Sequence, residues 1–564
     1  MYRIGIDIGG TFTDCVLVDE ASGSALLHKL LTTPEDPSDA VLDGVAALLA
    51  MGGVGIGDVS TLVHGTTLVT NALIERRGVR AGMLVTAGMR DILDIGRERR
   101  YDLFDLRLAY PEPVIPRRLR RELDERISSD GAVTCPLAPE AVRDAARALV
   151  EDEAVEAIAI CFLNSYRNPV HEQQAAGIIA EAFPGLPIST SAEVFPYSRE
   201  YERWTTAAMN AYVQPLFDRY VARIEERLTA IGFGGRLHIM TSSGGMVTPA
   251  TARRFPIRIL ESGPAAGALM SAYHGRVGGI DNLLSFDMGG TTAKGALVRA
   301  GQPLRKYELE VVRVHQFKAG SGLPAKAPVI DMIEIGAGGG SLASIDQRGV
   351  IAVGPRGAGA RPGPACYGRG GTLPTLTDAN LVLGYYDAET FLGGSMRLDL
   401  DAARRAIADH IGTPLGLDVV RAAWGIHEAV NENVASAFRI HASERAFDYR
   451  QSSMVAFGGS GPAHAARIAA KLNVPRIVLP PGAGVMSALG LLRSPFAFET
   501  ARSQRTALAG LDTATYAETF AEMERQMRAV LDEAGIAAES VTIRRRLDMR
   551  YAGQGYEVEV EAEA

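Results

Sequence analysis

Apolar residues along the chain fall into short unbroken or alternating runs separated by helical stretches, the pattern of an α/β protein. Tyr2–Ile8 and residues 13–19 read as a paired hairpin, residues 40–51 as a helix and residues 61–64 as a short strand. The turn Gly65-Thr66-Thr67 leads into a helix expected over 68–77. Residues 83–86 and 157–163 run apolar without polar interruption, as strands buried on both faces do. Met209, Tyr212, Val213, Leu216 and Tyr220 recur at helical spacing and predict a helix over 197–227, broken or kinked at Pro215. Strands are expected at 237–241, 455–457, 476–479 and 541–551, and helices at 463–472 and 513–533. The stretch 556–560 reads as a strand with no evident partner, so residues 501–564 are expected to form a partial C-terminal segment.

One device occurs twice on this pattern. Residues 4–14 read Ile-Gly-Ile-Asp-Ile-Gly-Gly-Thr-Phe-Thr-Asp and residues 284–294 read Leu-Ser-Phe-Asp-Met-Gly-Gly-Thr-Thr-Ala-Lys. An apolar strand that ends in Asp-x-Gly-Gly-Thr suits a phosphate clamp. Bare glycines let backbone N–H groups approach phosphate oxygens, and the threonine hydroxyls add donors. The aspartate is suited to hold hydrated Mg²⁺ or to orient a nucleophile. A single copy is an ordinary hairpin turn; two copies at domain spacing point to phosphate. A third glycine turn, Gly458 to Pro462, follows a strand and opens a helix, which suits an adenosine contact. The chain has no G-x-x-x-x-G-K-[ST] motif, and the first copy fails the Rossmann spacing.

A length of 564 residues calls for two to four domains, and 47% hydrophobic with 22% charged residues is ordinary for a globular protein. The net charge of −8 and the shortness of the arginine clusters at 97–100 and 117–121 argue against nucleic acid. No apolar run approaches membrane-spanning length, and no signal peptide is expected before the first strand. The four cysteines, Cys15, Cys135, Cys161 and Cys366, lack ligand or disulfide spacing and read as reduced thiols in the cytoplasm. The stretches 335–341 and 354–371 are glycine-rich and read as an ordered active-site loop. His64, Asp331, Arg361, Cys366 and His464 are further candidates: His64 as a ligand or a structural group, Asp331 as a contact to substrate or a second metal, Arg361 and Cys366 as residues of the glycine-rich loop, with Cys366 read as a small buried residue rather than a nucleophile, and His464 as a cap of its helix.

The order of these motifs resembles the actin-like ATPase superfamily and, more narrowly, the hydantoinase A/oxoprolinase family, which includes subunits of acetone and acetophenone carboxylases. The stretches that carry the resemblance begin at Gly5, His64, Thr70, Glu261, Asp287, Ile335, Pro362 and Phe457. It implies an α/β fold of two actin-like (ribonuclease H-like) lobes flanking an ATP cleft, with a C-terminal α+β segment. The corresponding units are residues 1–195, 196–500 and 501–564. By the same resemblance Asp7 and Asp287 hold Mg²⁺ or Mn²⁺. Thr11, Thr13, Thr291 and Thr292 bind phosphate with the backbone of Gly9, Gly10, Gly289 and Gly290. Gly458, Gly459 and Gly461 line the adenosine side, and Asp14 either orients a nucleophile or a metal-bound water or caps its hairpin. The implied activity is ATP-dependent opening of a cyclic amide such as 5-oxoproline or a hydantoin, in a homo- or hetero-oligomer with a hydantoinase B-type subunit. A ketone carboxylase subunit and a nucleotide-switched binding protein of the Hsp70 or actin kind are the alternatives.

Overall fold

Two six-stranded sheets in the computed structural model are built to one plan. The structure describes residues 1–33, 36–315, 318–555 and 557–562. In the first sheet Tyr2–Ile8 and Phe12–Asp19 pair antiparallel across the glycine turn, and Ala25–Leu31 adds antiparallel on the outer side. Val59–Thr66 and then Arg236–Met240 add parallel on the other side, with Met246–Val247 at the edge. The other sheet repeats this with Leu283–Met288 and Ala293–Arg299 as the glycine-turn pair. Met332–Ile335 is its outer antiparallel strand, and Ser453–Phe457 and Arg476–Val478 are its parallel ones. Both glycine turns therefore leave their sheets at the same point of the same topology.

Arg236–Met240 and Met246–Val247 lie beyond the boundary expected at residue 195, yet they complete the first sheet. The chain leaves that sheet to build an all-parallel sheet of Ala81–Thr86, Arg120–Leu123, Ala157–Cys161 and Ile188–Thr190, then returns. The expected boundary marks the end of this insertion, which local pattern reveals more readily than long-range pairing.

The return runs through one continuous helix, Glu200–Ala230, with Pro215 inside it. The expected break does not occur. Every residue from Glu202 to Val213 is buried, as are Pro215, Phe217, Val221 and Ile224, so packing on several sides offsets a proline penalty of about 3 kcal/mol.

Two helices join the halves at the level of the glycine turns, and glycine lets them pack closely. A Cβ on Gly490 of helix Met486–Arg493 would lie 2.2 Å from the Ala266 carbonyl oxygen in helix Ser262–Val277. One on Gly5 would lie 2.4 Å from the Ala488 carbonyl oxygen. The strand that carries Asp7 is thereby pressed against a helix from the far end of the chain.

The C-terminal helix Thr513–Glu533 forms as expected, capped by Asp512, with no buried residue. Val558–Ala562 pairs antiparallel with Arg545–Met549, so the final strand has a partner that the sequence reading missed. Tyr556 lies outside the described residues. Among the described residues no helix is long and apolar enough to cross a membrane, and all four cysteines are free.

Candidate active site

The two glycine turns meet tip to tip. Each is closed by the same bond, from Gly9 N–H to the Phe12 carbonyl (2.9 Å) and from Gly289 N–H to the Thr292 carbonyl (3.1 Å). Thr11 Oγ1 lies 3.4 Å from Thr291 Oγ1, although the two residues are 280 positions apart. The approach excludes side chains: a Cβ on Gly290 would lie 2.8 Å from Thr11 Oγ1, and one on Gly10 3.2 Å from Thr291 Oγ1. Both turns open on a cavity of about 960 Å³, lined by Asp7, Gly9, Gly10, Thr11, Phe12 and Asp14 and by their counterparts Asp287, Gly289, Gly290, Thr291, Thr292 and Lys294.

Glycines also wall the two aspartates. A Cβ on Gly263 would lie 2.5 Å from both carboxylate oxygens of Asp7, and one on Gly458 2.5 Å from Asp287 Oδ1. Gly458 has φ 81°, which glycine alone adopts without strain. Burial, followed by the charges of Asp14 and Asp287, lifts Asp7 to about 7. Burial also lifts Asp287 to about 7, against the pull of Lys294 and with a contribution from Asp14. Asp14 is raised by burial in spite of Lys29, whose ammonium it binds.

Two buried carboxylates that resist ionising beside each other attract a cation. Among the described residues no group of three or more His, Cys, Asp or Glu would hold a metal unaided. Asp7 and Asp287 instead fit magnesium of the kind held by one or two carboxylates and completed by water and phosphate.

The glycine-rich loop after Met332–Ile335 lies directly on the second turn. Gly339 and Gly340 N–H donate to the carbonyls of Gly289 (2.9 Å) and Gly290 (2.7 Å), and Thr377 N–H donates to the Gly339 carbonyl (2.7 Å). A Cβ on Gly338 would lie 2.6 Å from the Thr291 carbonyl carbon. The third turn joins the same assembly through Ser460 N–H, which donates to the Met288 carbonyl at 2.9 Å. Gly458 and Gly459 line the cavity with Ser460, whereas Gly461 starts helix Gly461–Leu472 and is not among the lining residues. Thr13 is not among them either; its fully buried hydroxyl lies 3.1 Å from Thr32 Oγ1.

The other candidates fall elsewhere. His64 is buried, its Nδ1 3.3 Å from the Ile6 carbonyl and its Nε2 2.9 Å from the Tyr220 hydroxyl. Burial pushes its pKa down to about 4, so the ring is neutral. Asp331 is buried in ion pairs with Lys306 and Arg445 and does not line the cavity. Arg361 is exposed. His464 Nδ1 is 2.8 Å from Asn431 Oδ1 and its ring stacks on His427. The Cys366 thiol is buried beside Asp378, and burial followed by that charge pushes its pKa well up.

Residues 203–500 match the Hydantoinase/oxoprolinase family, and residues 3–183 match the Hydantoinase/oxoprolinase N-terminal region. The chain belongs to the hydantoinase/oxoprolinase family. It is 36% identical over 569 residues to caprolactamase subunit alpha of Pseudomonas jessenii, an alignment covering 99% of this chain and 80% of that protein. It is 34% identical over 583 residues to the acetophenone carboxylase gamma subunit of Aromatoleum aromaticum, covering 98% and 77%. The crystal structure of ATP-dependent caprolactamase from Pseudomonas jessenii matches with a TM-score of 0.84 at 34% identity, covering 100% of this chain and 81% of that one.

In this hydantoinase/oxoprolinase chain two cavity lysines have roles that the sequence alone does not assign. Lys29 binds Asp14 and donates to the Gly484 carbonyl at 3.0 Å. Lys294 binds Glu261, with Glu334 at 3.7 Å. Burial disfavours the Lys294 ammonium, but these two carboxylates outweigh it and hold the pKa above the ordinary lysine range. Lys294 lay within the repeated motif, and its position there was the available signal. Lys29 had none, because only the third strand of the sheet brings it to the site.

Proposed function

We propose that the two like sheets are the cores of actin-like (ribonuclease H-like) lobes that close on ATP, and that this chain is the ATP-handling subunit of an ATP-dependent cyclic amidase. The observation that carries the reading is the meeting of Thr11 and Thr291 at 3.4 Å, with Asp7 and Asp287 lining the same cavity. Bound ATP with Mg²⁺ would supply the phosphoryl group and the charge that neutralises it. Asp7 and Asp287 would hold the metal directly or through water, and Thr11, Thr291, Thr292 and the glycine-turn backbone would orient the phosphates. Lys29, Lys294 and these donors act as a preset electrostatic frame, which is most of what phosphoryl transfer asks of a protein.

A lactam carbonyl is resonance-stabilised and resists water. Transfer of the γ-phosphoryl group to its oxygen gives an imidate-like phosphate. Water then adds to the carbon and the C–N bond breaks, freeing the amine and leaving an acyl phosphate; a second water adds to that carbon, and phosphate leaves with the former carbonyl oxygen. The caprolactamase relative supports this reading. The acetophenone carboxylase relative supports the alternative, in which an enolate oxygen is phosphorylated for carboxylation. Both relatives are named as subunits, which supports work in a hetero-oligomer with a hydantoinase B-type partner.

The test is ADP release by the purified chain, with and without its partner, against 5-oxoproline, hydantoins, lactams, and acetone or acetophenone with bicarbonate. Stimulation by a cyclic amide supports the amidase; stimulation by the ketones alone replaces it with the carboxylase. Nucleotide-dependent partner binding without any stimulation would point to an actin- or Hsp70-like switch.

A further inference from the structure

The cavity has a second wall of different chemistry. Phe12 comes from the first hairpin, Tyr367 from the short helical turn Ala365–Tyr367, and Tyr386 and Phe391 from the segment after helix Leu376–Val382. All four line the cavity. Phe391 is their hub, its ring centroid 6.4 Å from Phe12, 5.8 Å from Tyr367 and 6.2 Å from Tyr386. These are aromatic packing distances. The Tyr386 hydroxyl is 3.1 Å from Ser460 Oγ, so its polar tip is already engaged.

Both lysines that line the cavity are already paired. Lys29 lies 5.1 Å from the Phe12 ring centroid and is bound by Asp14 and the Gly484 carbonyl. Lys294 is bound by Glu261. The carboxylates of Asp7, Asp14, Asp287 and Asp387 line the same space. An ionised carboxylate brought against this wall would have to displace an existing partner from a lysine, and an unpaired buried charge is costly. A neutral ring meets no such obstacle and gains apolar contact with the wall.

We infer that this chain selects a neutral, apolar carbonyl ring, seated against Phe12, Tyr367, Tyr386 and Phe391, over one that carries a carboxylate. The inference rests on reading the site as an ATP-dependent activator of cyclic amides, and it narrows the substrate class within that reading.

The test compares 5-oxoproline with 2-pyrrolidone, the same five-membered lactam without the carboxylate, with caprolactam as a larger neutral ring. ADP release is measured with the full chain and its partner subunit. A neutral lactam should show kcat/KM about tenfold or more above that of 5-oxoproline, on the scale of a substrate group left unmatched by its site. Phe391→Ala should raise KM for that lactam severalfold with KM for ATP unchanged, and Phe391→Tyr should restore it. Preference for 5-oxoproline over 2-pyrrolidone would overturn the inference while leaving the amidase reading intact. A Phe391→Ala effect on KM for ATP alone would assign the wall to the nucleobase and overturn it too. ATP binding without stimulation by any lactam would defeat the amidase reading, and the inference with it.

Discussion

Asp14 and Lys294 stand at the same place in two otherwise matching hairpins: Asp14 is paired in register with Asp7, and Lys294 with Asp287. The two jaws share a backbone and differ in charge. Asp14 raises the pKa of both Asp7 and Asp287, and Lys294 lowers both. Asp14→Asn should therefore move the acid limb of the pH profile to lower pH, and Lys294→Gln should move it to higher pH. A pH series of kcat/KM for ATP reads this limb in the free enzyme. Shifts in the same direction would refute the assignment.

Asp287→Asn should reduce ATP turnover by about 10²-fold or more, the scale seen when a preset electrostatic group is removed from a reacting centre. The circular dichroism spectrum should stay unchanged. Turnover within a fewfold of wild type would remove Asp287 from the site.

The same carboxylates make stability depend on pH. Asp7 and Asp287 sit at about 7 in the folded chain against an ordinary 3.8, so between those values the folded state binds protons that the unfolded state has released. Their contribution is full below the lower value and lost as pH rises through the upper one. The nucleotide-free protein should melt at a lower temperature at pH 8 than at pH 6, and Asp287→Asn should narrow that difference. Thermal melts of both proteins at the two pH values decide it.

Gly338→Ala tests the loop. The added Cβ meets the backbone of Gly290 and Thr291 at 2.6–2.7 Å, so one of the two segments has to move. The expected cost is about 1–3 kcal/mol of stability, together with a loss of turnover larger than that destabilisation explains. An unchanged KM for ATP and unchanged kcat would show that the loop does not hold the second turn in place.

Cys15, Cys161 and Cys366 are buried and Cys135 is partly exposed. Titration of the native protein with a thiol reagent should modify Cys135 rapidly and the other three only on unfolding. Cys366→Ala should retain turnover; its loss would bring Cys366 back as a reacting group.

Much of this architecture was legible because it is local. The hairpin pairs and the helices at 513–533 and 463–472 follow from period and turn residues within a dozen positions. The Asp-x-Gly-Gly-Thr repeat was conspicuous because two distant segments shared one local pattern. What escaped depended on contacts between distant segments. Pro215 is tolerated because of what surrounds its helix on several sides. Arg236–Met240 belongs to the first sheet through pairing with Val59–Thr66 across an inserted sheet. Lys29 and Phe391 reach the cavity from elements that carry no motif. Gly338 to Gly340 read as a loop, but their reason for being glycine, backbone packed on backbone, appears only with the second turn in place.

The proposed reaction is phosphorylation of the substrate's carbonyl oxygen by ATP. It is tested most directly with a lactam that stimulates ADP release, labelled with ¹⁸O at the carbonyl and turned over by the chain with its partner in unlabelled water. Mass spectrometry of the released phosphate should find one ¹⁸O atom per phosphate. Phosphate free of label, with the ¹⁸O retained in the ring-opened product, would mean that ATP is hydrolysed by water and would contradict the account.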